Sequence, residues 1–206
     1  MPILGERFSN ALVYAATLHR EQNRKKTEIP YVSHLLATAC IVLEHGGGED
    51  EAIAALLHDA VEDDPEEIGG AVQLERIRKR FGDPVAKIVE DCSDTIEKVQ
   101  DDRTWRVRKE EYICHLAKKR SASRLVSAAD KLHNARAILA DYRRHGEELW
   151  TRFNAGREDQ LWYYRELVRV FRESGDNTEL VAELEIVVGE LGLAVALAGA
   201  AKHESP

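Results

Sequence analysis

The segment His58-Asp59-Ala60-Val61-Glu62-Asp63-Asp64 concentrates reactive side chains at the end of an apolar stretch running from Ala52 to Leu57. At helical spacing His58 lies over Glu62 and Asp59 over Asp63. One imidazole and three carboxylates therefore crowd one side of a helix end. Carboxylates held this close repel one another unless water or a cation screens them. A divalent metal is the natural cation. Imidazole with carboxylate suits Mn, Fe or Zn, and the hard oxygens tilt the choice toward Mn2+. Each feature alone has an ordinary explanation: an acidic run before Pro65 is commonly a solvated helix end, and a single His or Asp in a helix commonly pairs with a neighbour.

A metal needs ligands from more than one element, and the sequence offers two further candidates. His34 stands in Pro30-Tyr31-Val32-Ser33-His34, in the first turns of a helix whose later residues are apolar. Asp130 interrupts the small-residue stretch Val126-Ser127-Ala128-Ala129, with Asn134 one helical turn later. The weight lies in the ordered set: His, then His-Asp with Glu-Asp one turn on, then Asp with Asn one turn on.

With that set the chain resembles the HD superfamily of metal-dependent phosphohydrolases. More narrowly, it is similar to the hydrolase domain of RelA/SpoT-type alarmone enzymes and to the stand-alone small alarmone hydrolases. The resembling stretch runs from about residue 11 to 140. The resemblance implies one Mn2+ held by His34, His58, Asp59 and Asp130. Glu62 and Asp63 sit beside these ligands; one of them is placed to take the proton of an attacking water, both are expected to be needed, and the sequence does not assign which is the base. The resemblance matches Ala129-Asp130-Lys131-Leu132-His133-Asn134 to a family motif, and Arg24-Lys25 to a basic pair before the first ligand. Arg24 is then expected to stack on a nucleobase and Asn134 to contact the nucleoside. The implied reaction is removal of the 3′-pyrophosphate of (p)ppGpp-type alarmones, in guanosine or adenosine form. Two alternatives remain open: an HD phosphohydrolase acting on another phosphorylated nucleotide, such as NADPH or a nucleoside monophosphate, and a catalytically silent module that binds a nucleotide or a partner.

A polyanionic substrate needs cations near this acidic centre. Arg20, Arg24, Lys25 and Lys26 cluster before the His34 helix, and Arg103, Arg106, Arg108 and Lys109 cluster later. Arginine grips phosphate bidentately or stacks on a base, so Arg24, Lys25, Arg106 and Asn134 are the expected substrate contacts. The tryptophans Trp105, Trp150 and Trp162 are expected to serve packing.

The elements that must position these residues read as helical throughout. The chain has 206 residues, 44% hydrophobic and 32% charged, which excludes a disordered polymer. Its net charge of −8 makes it a poor candidate for nucleic-acid binding. Three scattered cysteines with no CxxC pair exclude a thiolate zinc knuckle and argue against a disulfide framework. The start of the chain lacks a signal-peptide pattern. The longest apolar run, Leu191 to Ala201, is 11 residues, against the roughly 20 that a membrane span needs. A cytoplasmic protein acting on a small phosphorylated nucleotide, with no membrane partner and self-association left open, is expected. Helices are predicted from about Phe8 to His19, Ile29 to His45, Glu49 to Val61, Leu74 to Phe81, Pro84 to Asp91, Arg106 to Lys119, Arg124 to Asp141, Asp159 to Arg172 and from Thr178. Their breaks fall at Gly46-Gly47-Gly48, Asp64-Pro65, Gly82-Asp83-Pro84 and Gly175. The expected architecture is all-α: a single HD-domain helical bundle over residues 1–206, with a core at about 11–140 and additional C-terminal helices at about 141–206.

Overall fold

The computed structural model describes residues 4–93 and 104–203, with the side chains of 201–203 left aside. The described residues form nine α-helices: α1 Glu6–Leu18, α2 Val32–Glu44, α3 Glu49–Leu57, α4 Gly70–Phe81, α5 Asp83–Cys92, α6 Trp105–Leu116, α7 Ser121–His145, α8 Arg157–Ser174 and α9 Thr178–His203. A 3-10 helix, Gly146–Arg152, joins α7 to α8. No strand forms among the described residues; the one β-type pairing is an isolated bridge between Asn23 and Pro30. The fold is thus all-α, as the sequence predicts. Arg103, counted above in a basic cluster, lies outside the described residues.

The centre of the bundle is α3. After its acidic first turn, Ala52, Ile53, Ala54, Ala55, Leu56 and Leu57 are all fully buried, as expected for a helix that is apolar all round. It is packed by α1, α2, α5 and α7. Gly47 lets α2 turn directly into α3: a Cβ there would fall 2.4 Å from Val42 Cγ1 and 2.8 Å from the Val42 carbonyl oxygen. The helix also ends sooner than its apolar pattern suggests. Residues 58–63 are hydrogen-bonded turns, with the Ala60 N–H donating to Leu57 O at 3.0 Å and the Asp63 N–H to Asp59 O at 2.9 Å. His58 and Asp59 are thereby placed at the C-terminal end of a buried helix, where the helix dipole favours a cation.

α7 is the other organising element. It runs past the core boundary expected near residue 140, and α9 packs along it and against α8. Leu180, Leu184 and Leu191 of α9 are fully buried. Arg124 of α7 pairs with Asp176 just before α9, Nε to Oδ1 at 3.1 Å and Nη2 to Oδ2 at 2.5 Å. The Ala-rich C-terminal stretch is helical with one packed face: Leu191 and Val195 are buried, whereas Leu193 and Leu197 are exposed. Trp150 is buried, as expected of a packing residue. Among the described residues, no helix is long and apolar enough to cross a membrane.

Candidate metal centre and nucleotide cleft

Four nitrogen and oxygen donors from three helices meet beside α3. His34 is the third residue of α2, His58 and Asp59 follow the end of α3, and Asp130 lies mid-way along α7. Asp59 Oδ2 lies 3.5 Å from His34 Nε2 and 3.0 Å from His58 Nε2. Asp130 Oδ1 lies 3.2 Å from His34 Nε2 and 3.7 Å from His58 Nε2. The two imidazole nitrogens and two carboxylate oxygens therefore alternate around a small closed ring. Ligands at right angles around one ion, each about 2.1 Å from it, stand about 3.0 Å apart, close to these edges.

The chemistry of His58 tests whether a cation fits. Its Nδ1–H donates to the Ala55 carbonyl at 2.8 Å, which leaves Nε2 as the nitrogen with a lone pair. That Nε2 is buried and has no partner in hydrogen-bonding geometry, although the Asp59 oxygen is close. A lone pair facing two carboxylates requires either a proton or a metal between them. With no ion bound, the proton wins: burial pulls the His58 pKa down, but the Asp59 and Asp130 charges more than reverse this and hold it well above its ordinary value. The same pairing drives the Asp59 carboxyl well below the usual range despite its burial, through the His58 charge and the close approach of the His34 and His58 rings. Asp130 is likewise lowered despite burial, by Lys131 and the two histidines. The donor set and its orphaned nitrogen fit a divalent ion.

A pH dependence follows. The ion must displace the His58 proton, so metal affinity is expected to rise about tenfold per pH unit on the acid side of the raised His58 value and to level above it. Calorimetric titration with Mn2+ from about pH 5.5 upward checks this. A flat affinity would show that no ligand proton is displaced.

The surrounding residues orient the ligands. Tyr31 donates its hydroxyl to Asp59 Oδ2 at 2.6 Å. Burial and the neighbouring Asp59, Asp63 and Asp130 charges raise its pKa far above the ordinary value, so it remains a donor. Lys131 Nζ lies 2.7 Å from Asp130 Oδ2. His34 Nδ1 is 2.7 Å from His133 Nδ1. Burial and the nearby His34 and Arg24 push the His133 pKa down to about 4, so His133 is neutral and able to accept from His34 Nδ1. This sets the His34 tautomer with Nε2 facing the carboxylates. Tyr31, Lys131 and His133 lie inside motifs quoted above, but sequence spacing does not assign them these contacts.

The acidic run divides. Asp63 is half-buried, and its Oδ2 accepts from Gln22 Nε2 at 2.6 Å. Burial and the Asp59 charge raise its carboxyl above the usual range. Glu62 is exposed. Asp64 leaves the cluster altogether: it is buried, and its two oxygens accept from the Ile68 and Gly69 N–H groups at 3.1 and 3.0 Å, bracing the turn into α4.

A cleft of about 510 Å³ opens beside the donor ring, lined by Arg24, Lys25, Tyr31, Lys109, Lys131 and Asn134 among others. Arg24 Nη2 donates to Asn134 Oδ1 at 2.8 Å, and Asn134 Nδ2 donates to Asp130 Oδ1 at 2.5 Å. The hairpin-like loop carrying Arg24 is closed by the Arg24 N–H to Ile29 O bond at 2.8 Å and the Tyr31 N–H to Gln22 O bond at 2.9 Å. Lys25 bonds Asn154 at 3.3 Å and Lys26 bonds the Thr151 carbonyl at 2.9 Å, fastening this loop to the 3-10 segment. Arg106 is placed apart from this lining: its guanidinium lies 3.1 Å from the Trp162 ring centroid and pairs with Glu110 and Asp159. Lys109, one turn along α6, faces the cleft instead.

Comparison with known proteins adds four findings. A family model described as "HD domain" matches residues 11–161. A guanosine-3′,5′-bis(diphosphate) 3′-pyrophosphohydrolase, MESH1, of Xenopus tropicalis is 34% identical over 187 residues, covering 88% of this chain and 93% of the relative. MESH1 of Drosophila melanogaster is 32% identical, covering 91% and 96%. A solved structure, described as a metazoan ortholog of SpoT that hydrolyzes ppGpp and plays a role in starvation responses, superposes with a TM-score of 0.71 at 28% identity, covering 94% of this chain and 99% of that one.

Proposed function

The chain belongs to the HD domain family, and from that premise we propose that it is a Mn2+-dependent nucleotide pyrophosphohydrolase that removes the 3′-pyrophosphate of (p)ppGpp-type alarmones. The observation that carries the reading is the continuity of the donor ring with a basic cleft: Asn134 bonds both Asp130 of the ring and Arg24 of the cleft. Relatives matching nearly the whole chain carry this activity in their names.

His34, His58, Asp59 and Asp130 would hold the ion. Two imidazoles and two carboxylates, with hard oxygens, favour Mn2+. A bound ion would supply Lewis-acid stabilisation of phosphoryl oxygens and would lower the pKa of a water. The chain's own residues do the rest. Tyr31, Lys131 and His133 fix the donors so that no reorganisation is needed when substrate arrives. One carboxylate of the Glu62-Asp63 pair receives the proton of the attacking water. Arg24, Lys25 and Lys109 counter the charge of the phosphates, and Asn134 and the Arg24 guanidinium face hold the nucleoside.

The test is a product screen with the Mn2+-loaded protein over ppGpp, ppApp, NADPH and nucleoside monophosphates. Turnover of a 3′-pyrophosphorylated nucleotide far ahead of the rest supports the reading. Preference for NADPH or a monophosphate would move the protein to another HD phosphohydrolase, and metal binding without any turnover would make it a silent module.

Substrate recognition gives a second test. If Arg24 stacks on the base, Arg24→Ala should weaken kcat/KM for a nucleotide by the equivalent of about 1–3 kcal/mol, mainly through KM. A small non-nucleotide phosphoester should be affected far less. Arg24→Lys keeps charge but loses the planar face and should recover only part. Equal kinetics for wild type and Arg24→Ala would assign Arg24 to bracing Asn134.

A further inference from the structure

Beside the donor ring lies a buried histidine that holds no ligand position. His19, just after α1, is only 2% exposed, and its ring stacks on Tyr31 with centroids 5.2 Å apart. Its Nδ1 is 2.6 Å from Gln22 Oε1, and Gln22 Nε2 is 2.6 Å from Asp63 Oδ2. The directions along this chain are determined. A carboxylate only accepts, so the Gln22 amide nitrogen donates to Asp63. The amide oxygen is then the acceptor, and His19 must donate from Nδ1. This leaves His19 Nε2 buried with no protein partner among the described residues. An unsatisfied buried acceptor is costly. An apolar ring of similar size would stack on Tyr31 without that cost, but could not hold Gln22.

Asp63 also faces a different space from the nucleotide-binding groups. It lines a second cleft, of about 560 Å³, together with Thr17, Arg20, Gln22, Pro65 and Glu66. None of these residues lines the cleft that holds Arg24 and Asn134.

We propose that His19 and Gln22 are positioning residues that fix Asp63, rather than Glu62, as the acceptor of the proton from the attacking water, which is delivered through this second cleft. With Oδ2 engaged by Gln22, Oδ1 is the oxygen with capacity to accept from water. The water oxygen bonds to the phosphorus, and its proton passes to the Asp63 carboxylate. The bond from phosphorus to the nucleoside 3′-oxygen breaks, and that oxygen leaves with the electron pair. Asp63 returns its proton to solvent, and solvent protonates the leaving oxygen. Separate clefts for water and nucleoside suit an in-line displacement, in which attacking and leaving oxygens stand on opposite sides of the phosphorus. The proposal rests on the phosphohydrolase reading above.

The experiment compares wild type with Gln22→Leu, His19→Phe and His19→Asn, measuring bound Mn2+, thermal unfolding, and kcat and KM for ppGpp. Phenylalanine keeps the ring stacked on Tyr31 and loses the donor. Asparagine loses the ring but can place an N–H near the Nδ1 position. Gln22→Leu and His19→Phe should lower kcat about 10–100-fold, the range for losing a supporting partner of a metal-site residue. KM and bound Mn2+ should stay at wild-type levels. His19→Asn should recover most of the lost kcat. If Gln22→Leu fails to fold, Gln22→Met, of similar length and without a donor, should show the same selective loss. Wild-type kcat in Gln22→Leu or Gln22→Met, or an active His19→Phe beside an impaired His19→Asn, would overturn the positioning role and leave His19 as packing. An inactive wild type that binds Mn2+ would instead bring down the phosphohydrolase reading itself, and this proposal with it.

Discussion

Alanine in place of His34, His58, Asp59 or Asp130, one at a time, is expected to abolish stable divalent-metal binding and to reduce hydrolysis to background. The ring explains why one loss suffices. Each donor stands within 3.0–3.7 Å of two others, so removing one leaves three donors and an unbalanced charge. The fold should survive. The large fully buried side chains, including Leu35, Ile53, Leu56, Leu132 and Phe171, are apolar and come from α2, α3, α7 and α8, so the core does not depend on one ion. In the metal-free protein the variants should therefore unfold cooperatively, with a modest shift in Tm. Asp130→Ala and Asp59→Ala also remove the carboxylates that hold the His58 proton, and burial then favours the neutral ring. Metal analysis after dialysis, with thermal unfolding and an activity assay on the same samples, checks the prediction. Stoichiometric Mn2+ retained by any of these variants would exclude that residue from the ligand set.

The second expectation separates holding the ion from chemistry. Asp63→Asn should retain Mn2+ yet lose rate on the order of 10²–10⁴-fold, the contribution of a general acid–base group, and Glu62→Gln should retain Mn2+ and lose less. Asp63→Asn should show the larger loss. Its carboxylate is half-buried, bonded by Gln22 and raised in pKa by burial and the Asp59 charge, whereas Glu62 is exposed. An asparagine keeps the shape and still offers an oxygen to the Gln22 amide, so the loss would reflect basicity rather than collapse of the loop. Wild-type turnover by either variant would show that the residue only shapes the turn after α3.

Much of this was legible from residue types and spacing, and what was not has a physical reason. The helix breaks were visible because Gly46–Gly48, Pro65, Gly82-Asp83-Pro84 and Gly175 interrupt a helical pattern. The four donors were visible as a group because three short motifs carry them. The early end of α3 was hidden, because Ala60 and Val61 continue its apolar run and are buried even though their backbone has passed into turns. The 3-10 helix at Gly146–Arg152 is too short for any periodicity to register. Spacing groups Asp64 with its acidic neighbours, yet a backbone at φ 40° points it toward the start of α4. The contacts that support the donors were beyond the reach of spacing. Gln22 meets Asp63 across 41 residues of chain, and His133 meets His34 across 99. Such pairs exist only once α2, α3 and α7 have packed. Arg106 illustrates the converse: a basic residue in a suggestive cluster is drawn onto Trp162 and two acidic partners, which sequence composition does not reveal.

The central claim, hydrolysis at the 3′-pyrophosphate, is tested most directly by phosphorus NMR of ppGpp incubated with Mn2+-loaded protein in ¹⁸O-labelled water. GDP and pyrophosphate are expected in equal amounts, with the label in pyrophosphate, since water attacks phosphorus and the nucleoside oxygen leaves. Release of orthophosphate in place of pyrophosphate, label in the nucleoside, or an unchanged spectrum from protein with its ion bound would contradict it.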